Sequence, residues 1–403
     1  MKTTTKHISF LFEVHQPFRL KKYHFFDIGN DNNYYDHENN ARLLLSIAEE
    51  SYLPTVQILM DLINTYGNLI KISFAISGTA LDQMQRYAPH VLESFQRLAA
   101  TGNVEFIGQT NSRSLFSATS MNSFSMEVGL HKKAIEKHFR QIPSTFLNTG
   151  FILSEQLCNT IFELGFKAII TTDEAAVVHG KNQYAIYKNN SVKPLKFLLR
   201  NSSLSNDISF RFSQKDWSEW PLTADKYISW LKGLQPKEKI VTITMDCTSF
   251  GSTHKSNTGI FSFLKFLMHY LAEDKEMILS TPQEALESHQ PRSQSFFPNS
   301  YKGSKSVGTE VFENELQMEA FKSLYHLENK LGKLNNQQLH KDWSYLQSAD
   351  HFYYMSDNGF FDNYFNPYNS PYDAFLNYMN VLTDFSLRLE NANKAVATSI
   401  PLL

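Results

Sequence analysis

The side chains able to do chemistry in this sequence fall into five short clusters. Glu13 and His15, Gln109 to Arg113, Asn148 to Gly150, Asp173, and Asp246 to Ser252 each follow directly on a short strand-like run. Carboxyl and imidazole groups there could transfer protons, and the amides, hydroxyls and guanidinium could hold a polar ligand. Taken singly, each is more simply a turn former or a helix cap. Their recurrence at corresponding strand ends favours one shared site. His131 and His138 are seven apart and no HxxxH or HExxH pair occurs, so no metal site is expected.

The elements that must carry these clusters alternate. Strands are expected at 6–14, 70–77, 103–108, 144–149, 167–172, 208–213 and 239–246, with MILS at 277–280 as an eighth. Helical stretches lie between them, among them ALDQMQRYAPHVLESFQRLAATG and SEQLCNTIFELG, the latter opened by Ser154 as N-cap with Glu155 in its first turn. Alternating β and α with long crossovers means a parallel sheet, and seven or eight units favour a closed or nearly closed barrel. An open doubly wound sheet is the structural alternative, but no GxGxxG or GxxxxGK[ST] loop follows any of these strands, and no cofactor is expected. In such a barrel the chemistry sits at the C-terminal ends of the strands. After about residue 290 the pattern changes to long helices at 312–334, 337–353 and 371–391. The expected division is a barrel over 1–290 and a helical domain over 291–403.

Bulk composition narrows the function. The 403 residues are 42% apolar and 14% aromatic, enough for a large core. With 38 Lys+Arg against 40 Asp+Glu and no long charged run, nucleic acid and anionic membrane are poor partners. The apolar run near the N-terminus is broken by Glu13 and reads as a first strand rather than a signal peptide, and no apolar stretch reaches the roughly 18 residues of a membrane span. Two distant cysteines, Cys158 and Cys247, fit a reducing cytoplasm.

At the strand ends the sequence resembles glycoside hydrolase family 57, in particular its α-amylase-like group. The resemblance rests on FEVHQPFRL (12–20), GNVEFIGQTNSRSL (102–115), FLNTGFILS (146–154), TMDCTSFGSTH (244–254) and WSYLQSADHFYYM (343–355), with further agreement nearly end to end. It implies an incomplete seven-stranded (β/α) barrel of parallel strands followed by a C-terminal α-helical bundle. It also implies retaining hydrolysis of α-glucans, for which two carboxyl groups about 5 Å apart flank the scissile bond. On that resemblance Asp246 takes the acid/base position. Gly150 takes the position of the glutamate nucleophile, which is therefore lost.

The surroundings of these two positions have changed too. Where the family pattern is similar to AETYYHSL, this chain has Gln109 for a glutamate, Asn111 and Ser112 for two tyrosines, and Arg113 for a sugar-contacting histidine. After Asp246, Cys247, Thr248, Ser252 and Thr253 replace a tyrosine, two glutamates and a histidine. His15, Gln16, Trp343, Asp350 and His351 survive, and with Gln109, Arg113 and Thr248 they form the implied sugar-binding set. Without a side chain at 150 no covalent glycosyl-enzyme can form there. Glu155 points away from the strand end, Glu105 sits low on the third strand, and Glu13 lies on a different wall from position 150. A guanidinium favours a carboxylate over the carboxylic acid a proton donor needs, so Arg113, if it reaches Asp246, works against catalysis; it could otherwise bind an anionic sugar. Phe18, Tyr23, Phe25, Phe26, Trp217, Trp220, Trp343, Tyr353 and Tyr354 could hold sugar rings or simply fill the core. The expected function is a cytoplasmic α-amylase-like protein, catalytically silent or strongly impaired, that binds an α-glucan or pairs with an active homologous amylase. A weak hydrolase or glucan transferase using Asp246, and a purely structural interaction protein, are the alternatives.

Overall fold

The computed structural model describes residues 5–115, 120–148, 153–172, 184–189, 194–235, 237–294, 312–332, 334–357 and 365–399. Gly150 and Asp173 lie outside them. Among the described residues there are ten strands: β1 (Lys6–Val14), β2 (Ile72–Ile76), β3 (Val104–Phe106), β4 (Thr145–Leu147), β5 (Ala168–Thr172), β6 (Ile186–Asn189), β7 (Lys196–Arg200), β8 (Ile240–Asp246), β9 (Met277–Leu279) and β10 (Arg292–Gln294). Seven of them, β1, β2, β3, β4, β5, β7 and β8, run parallel around an incomplete (β/α) barrel. The ring is thin at two seams. β7 and β8 share a single register pair, Arg200 with Thr242. β3 meets β4 at Gly108, whose N–H donates to Thr145 O at 2.9 Å and whose carbonyl accepts from Leu147 N at 2.7 Å. Glycine is required there, since a Cβ on Gly108 would lie 2.4 Å from the Phe166 ring.

These runs form strands because both faces are covered, so continuous apolar sequence is tolerated. All five residues of β2 are buried, as are six of the seven in β8. Helices wrap the outside; Pro89 starts a second helix and divides the stretch expected as one into Gly78–Tyr87 and Pro89–Ala100. Ser154 caps Glu155–Glu163 as anticipated, accepting from Leu157 N at 3.1 Å.

One expected strand is not a strand. Residues 208–211 lie on a helical segment, Ser202–Asn206 continuing into Asp207–Arg211 and capped by the Asn201 side chain, and 212–213 form the turn that follows. The sixth barrel strand is β7, the run KFLLR. Residues Ile208 and Phe212 satisfy their apolar character by packing in the main core, so burial overrides their local β preference.

The C-terminal region is helical: Glu315–His326, Glu328–Leu331, Gln337–Leu346, Ala349–Tyr353 and Pro371–Ser399. Its core also contains Phe18, Leu20, Tyr23, Tyr34 and Tyr35 from the segment after β1, and Leu115. The first barrel loop therefore belongs physically to the helical core, which fixes the helices over the C-terminal ends of the strands. No helix among the described residues is long and apolar enough to cross a membrane.

Candidate active site

Parallel pairing brings the candidate residues together. Glu13 on β1 is the register partner of Asp246, the last residue of β8, so two carboxyl groups stand side by side at one edge of the barrel mouth. Asp246 is exposed and Glu13 mostly buried. Burial pushes the Glu13 carboxyl above its ordinary range; the Arg113 guanidinium opposes this, and Asp246 adds to it.

Arg113 reaches this edge from the loop after β3. Its Nη2 lies 3.4 Å from Glu13 Oε2. It has φ +54°, a left-handed conformation that costs a non-glycine residue about 1 kcal/mol, and the loop tolerates it because the backbone is tied at both sides. Arg113 N donates to Thr110 O, its carbonyl accepts from Ala349 N, and Ser114 bridges Ser348. Burial disfavours the charged guanidinium, but Glu13, Asp246 and Asp350 outweigh that and hold it firmly protonated. Arg113 is thus a component of the mouth, and its ion pair is with Glu13, a partner the sequence did not indicate.

His15, two residues beyond Glu13, links barrel and helices. Its Nδ1 lies 2.8 Å from Ser77 Oγ at the end of β2, and its Nε2 lies 2.7 Å from Asp350 Oδ2. The Ser348 hydroxyl donates to the same carboxylate at 2.9 Å. Burial alone would raise the Asp350 carboxyl; the charge and hydrogen bond of His15, then Arg113 and Ser348, hold it well below the usual carboxylate range. A depressed carboxyl stabilises the fold fully above about pH 4 and loses that contribution as pH falls toward its folded value. Asp350→Ala, which strands a buried imidazole, is expected to cost about 3 kcal/mol in urea unfolding at pH 7, and less in acid. An equal cost at both pH values would show that folding leaves the Asp350 carboxyl undepressed.

The other implied sugar contacts are placed less openly. Gln16 is buried, donating to the Tyr52 hydroxyl at 3.2 Å and accepting from Arg19 at 3.2 Å. Gln109 is buried, with its N–H directed to His131 Nδ1 at 3.3 Å. Thr248 is half-buried in the turn after β8, where its carbonyl accepts from Thr253 N. That turn is held close by Gly251, at φ +102°, where any Cβ would fall 1.8 Å from Glu50 O. Trp343 and His351 are 3% and 2% exposed and pack in the helical core, His351 with its Nε2 on Tyr345 O. Burial pushes His351 down to about 4, so it is a neutral structural residue here. Of the nine candidate sugar platforms, Phe25, Phe26 and Trp220 are widely exposed, at 71%, 85% and 42%. Phe18 is instead stacked on Tyr345 at 4.1 Å, and Tyr23 and Tyr354 are buried.

A buried polar cluster behind the mouth went unrecognised in the sequence. Glu127, on the helix Met121–Phe139, accepts from Ser112 N at 2.9 Å and from the Ser344 hydroxyl at 2.6 Å; Asn111 donates to Ser344 at 3.2 Å. Asn111 and Ser112 therefore point their polar atoms inward, at the helical region. Only an uneven charge on an otherwise amphipathic helix hinted at Glu127.

Comparison with known proteins follows this architecture. The glycosyl hydrolase family 57 model matches residues 9–295. This chain belongs to glycosyl hydrolase family 57. A curated protein of Methanocaldococcus jannaschii, "Putative alpha-amylase", is 33% identical over 400 residues, covering 94% of this chain and 84% of that protein. Among solved structures, a family 57 branching enzyme from Thermococcus kodakaraensis, in complex with glucose, superimposes with TM-score 0.71 at 12% identity, covering 96% of this chain and 90% of its own. The α-amylase AmyC from Thermotoga maritima gives TM-score 0.66 at 11% identity, with 98% and 95% covered. At those identities the superpositions establish the family 57 fold alone.

Proposed function

We propose that this family 57 chain binds α-glucan at the mouth of its barrel and is silent or strongly impaired in retaining hydrolysis. The observation that carries this is Arg113: a guanidinium paired with Glu13 stands in the mouth beside Asp246. Gly150, at the position the family resemblance gives to the nucleophile, supplies no group to form a glycosyl-enzyme. The survival of His15 and Asp350 in one hydrogen-bonded unit supports a retained polar surface for sugar hydroxyls. A cytoplasmic role, alone or paired with an active homologous amylase, fits the two buried free cysteines. Calorimetry with maltooligosaccharides tests the proposal. Heat at millimolar ligand is expected, and its absence would leave a structural or interaction role.

A second reading draws on the adjacency of Glu13 and Asp246. Two carboxyl groups of unequal environment can divide acid and base roles, one taking a proton from water as its oxygen bonds to the anomeric carbon, the other protonating the departing oxygen. This would be a weak, altered hydrolase. Turnover of an activated α-glucoside abolished by Asp246→Asn and by Glu13→Gln would establish it; turnover unaffected by either would exclude it.

A further inference from the structure

A second cavity, of about 520 Å³, lies between the segment after β1 and the start of the helix Pro371–Ser399. Its volume falls within the range of small-ligand sites, about 300–1,000 Å³. None of its lining residues belongs to the mouth described above. The Tyr368 ring of the cavity wall lies 5.9 Å from the buried Tyr354 ring.

The wall is amide-rich and rigid. Asn377 accepts from Tyr23 N at 2.7 Å and donates to Lys21 O and the Tyr368 hydroxyl at 3.0 and 3.1 Å, while Asn380 donates to Tyr23 O at 3.1 Å. These bonds join the loop to the helix and hold the cavity open without a ligand. They leave Asn369, the Asp373 carboxylate and the Asn380 carbonyl without a hydrogen bond or ion pair to the described residues. Charged groups in the wall are Lys22, Asp36, Asp373 and, when protonated, His24, so no cationic cluster favours an anion.

Exposed apolar residues neighbour the wall along the chain. Phe25 and Phe26 follow the lining residue His24 and are 71% and 85% exposed; Tyr372 precedes the lining Asp373 and is 57% exposed; the lining Leu376 is 42% exposed. Isolated exposed apolar residues are ordinary, but an amide-rich wall lined by Tyr368, with three exposed aromatic residues next to its segments in the chain, matches the two surfaces of a sugar. Hydroxyls need paired donors and acceptors, and the C–H faces of the ring need flat apolar partners.

We propose that this cavity is a second carbohydrate site that takes a neutral oligosaccharide. Asn369, Asp373 and Asn380 bond its hydroxyls, and Phe25, Phe26 or Tyr372 carry its ring faces. The site stands independently of the mouth, and the experiment separates the two. The full chain is titrated with maltoheptaose by calorimetry, alongside Phe26→Ala/Asn369→Ala/Asp373→Asn and a mouth variant, Arg113→Ala/Asp246→Asn. The three cavity positions are exposed, so an unchanged thermal midpoint is expected and serves as the folding control. The cavity variant is expected to lose one binding event, or to weaken it about tenfold or more, while the mouth variant keeps it. If the cavity variant binds as the unaltered chain does, in affinity and stoichiometry, the second site is refuted whatever the mouth does. Loss of all heat in the mouth variant alone refutes it equally. Loss confined to the cavity variant upholds it and removes the mouth as the glucan site. No heat from the unaltered chain overturns both.

Discussion

Gly150→Glu alone is expected to raise turnover of an activated α-maltoside less than tenfold, whereas Gly150→Glu with Arg113→His and Thr248→Glu is expected to gain about a hundredfold more. The reason is electrostatic. If position 150 carries the role the family resemblance gives it, a carboxylate added there must work beside an Arg113 guanidinium committed to Glu13 and attracted by Asp246 and Asp350. The loop that carries Arg113 has its polar groups engaged elsewhere. Asn111 and Ser112 are bonded to Ser344 and Glu127, so they offer nothing to a sugar. Preorganised groups around a glycosidic transition state supply several kcal/mol, and each tenfold in rate is about 1.4 kcal/mol, so the nucleophile alone recovers a minor part. Measuring kcat/KM for the single and triple variants decides it. Full activity from the single change would mean that the surrounding site never decayed.

Glu127→Gln is expected to stabilise the protein by up to about 3 kcal/mol at pH 8 and by almost nothing near pH 4.5. Burial pushes the Glu127 carboxyl up to about 7 from an ordinary 4.5, the bonds from Ser344 and Ser112 offsetting only part of the effect. The sign follows from proton linkage. Between pH 4.5 and 7 the folded chain keeps a proton that the unfolded chain releases, so this group's contribution is fully present below 4.5 and is lost as pH rises through 7. At about 1.4 kcal/mol per pKa unit the whole effect is of order 3 kcal/mol. A glutamine carbonyl still accepts from Ser112 N, and its amide can donate to Ser344, whose hydroxyl has Ser112 Oγ 2.8 Å away as an alternative acceptor. His131, one helical turn along, is pushed down to about 4 by burial and destabilises the fold as pH falls from about 6.5 toward 4. That contribution is common to both proteins and cancels in the difference. Urea unfolding of both at the two pH values is the measurement, and an equal gain at each would show that the Glu127 carboxyl titrates alike in the folded and unfolded chain.

Much of the fold was legible because the barrel strands are covered on both faces and read as plain apolar runs between amphipathic helices. The error at 208–213 shows the limit of that signal. ISFRFS and KFLLR are both short and apolar with β-forming residues, and only the capping of 202–206 by Asn201 and the pairing of KFLLR with β5 separate them. The helical region was readable from its spacing. Its claim on the loop after β1 was not, since Phe18, Tyr23, Tyr34 and Tyr35 reach that core across more than 300 residues of chain.

By itself the sequence determined which groups are available at the strand ends: carboxyls at 13 and 246, an imidazole at 15, a guanidinium at 113 and no side chain at 150. Local patterning and side-chain chemistry are properties of the chain alone. Which groups face one another was decided by closure of the barrel, which sets β1 beside β8 and so Glu13 beside Asp246, and by docking of the helices, which brings Asp350 to His15 and turns Trp343 and His351 inward. Charges interact through distance and burial, and both are set only when strands far apart in sequence come into register.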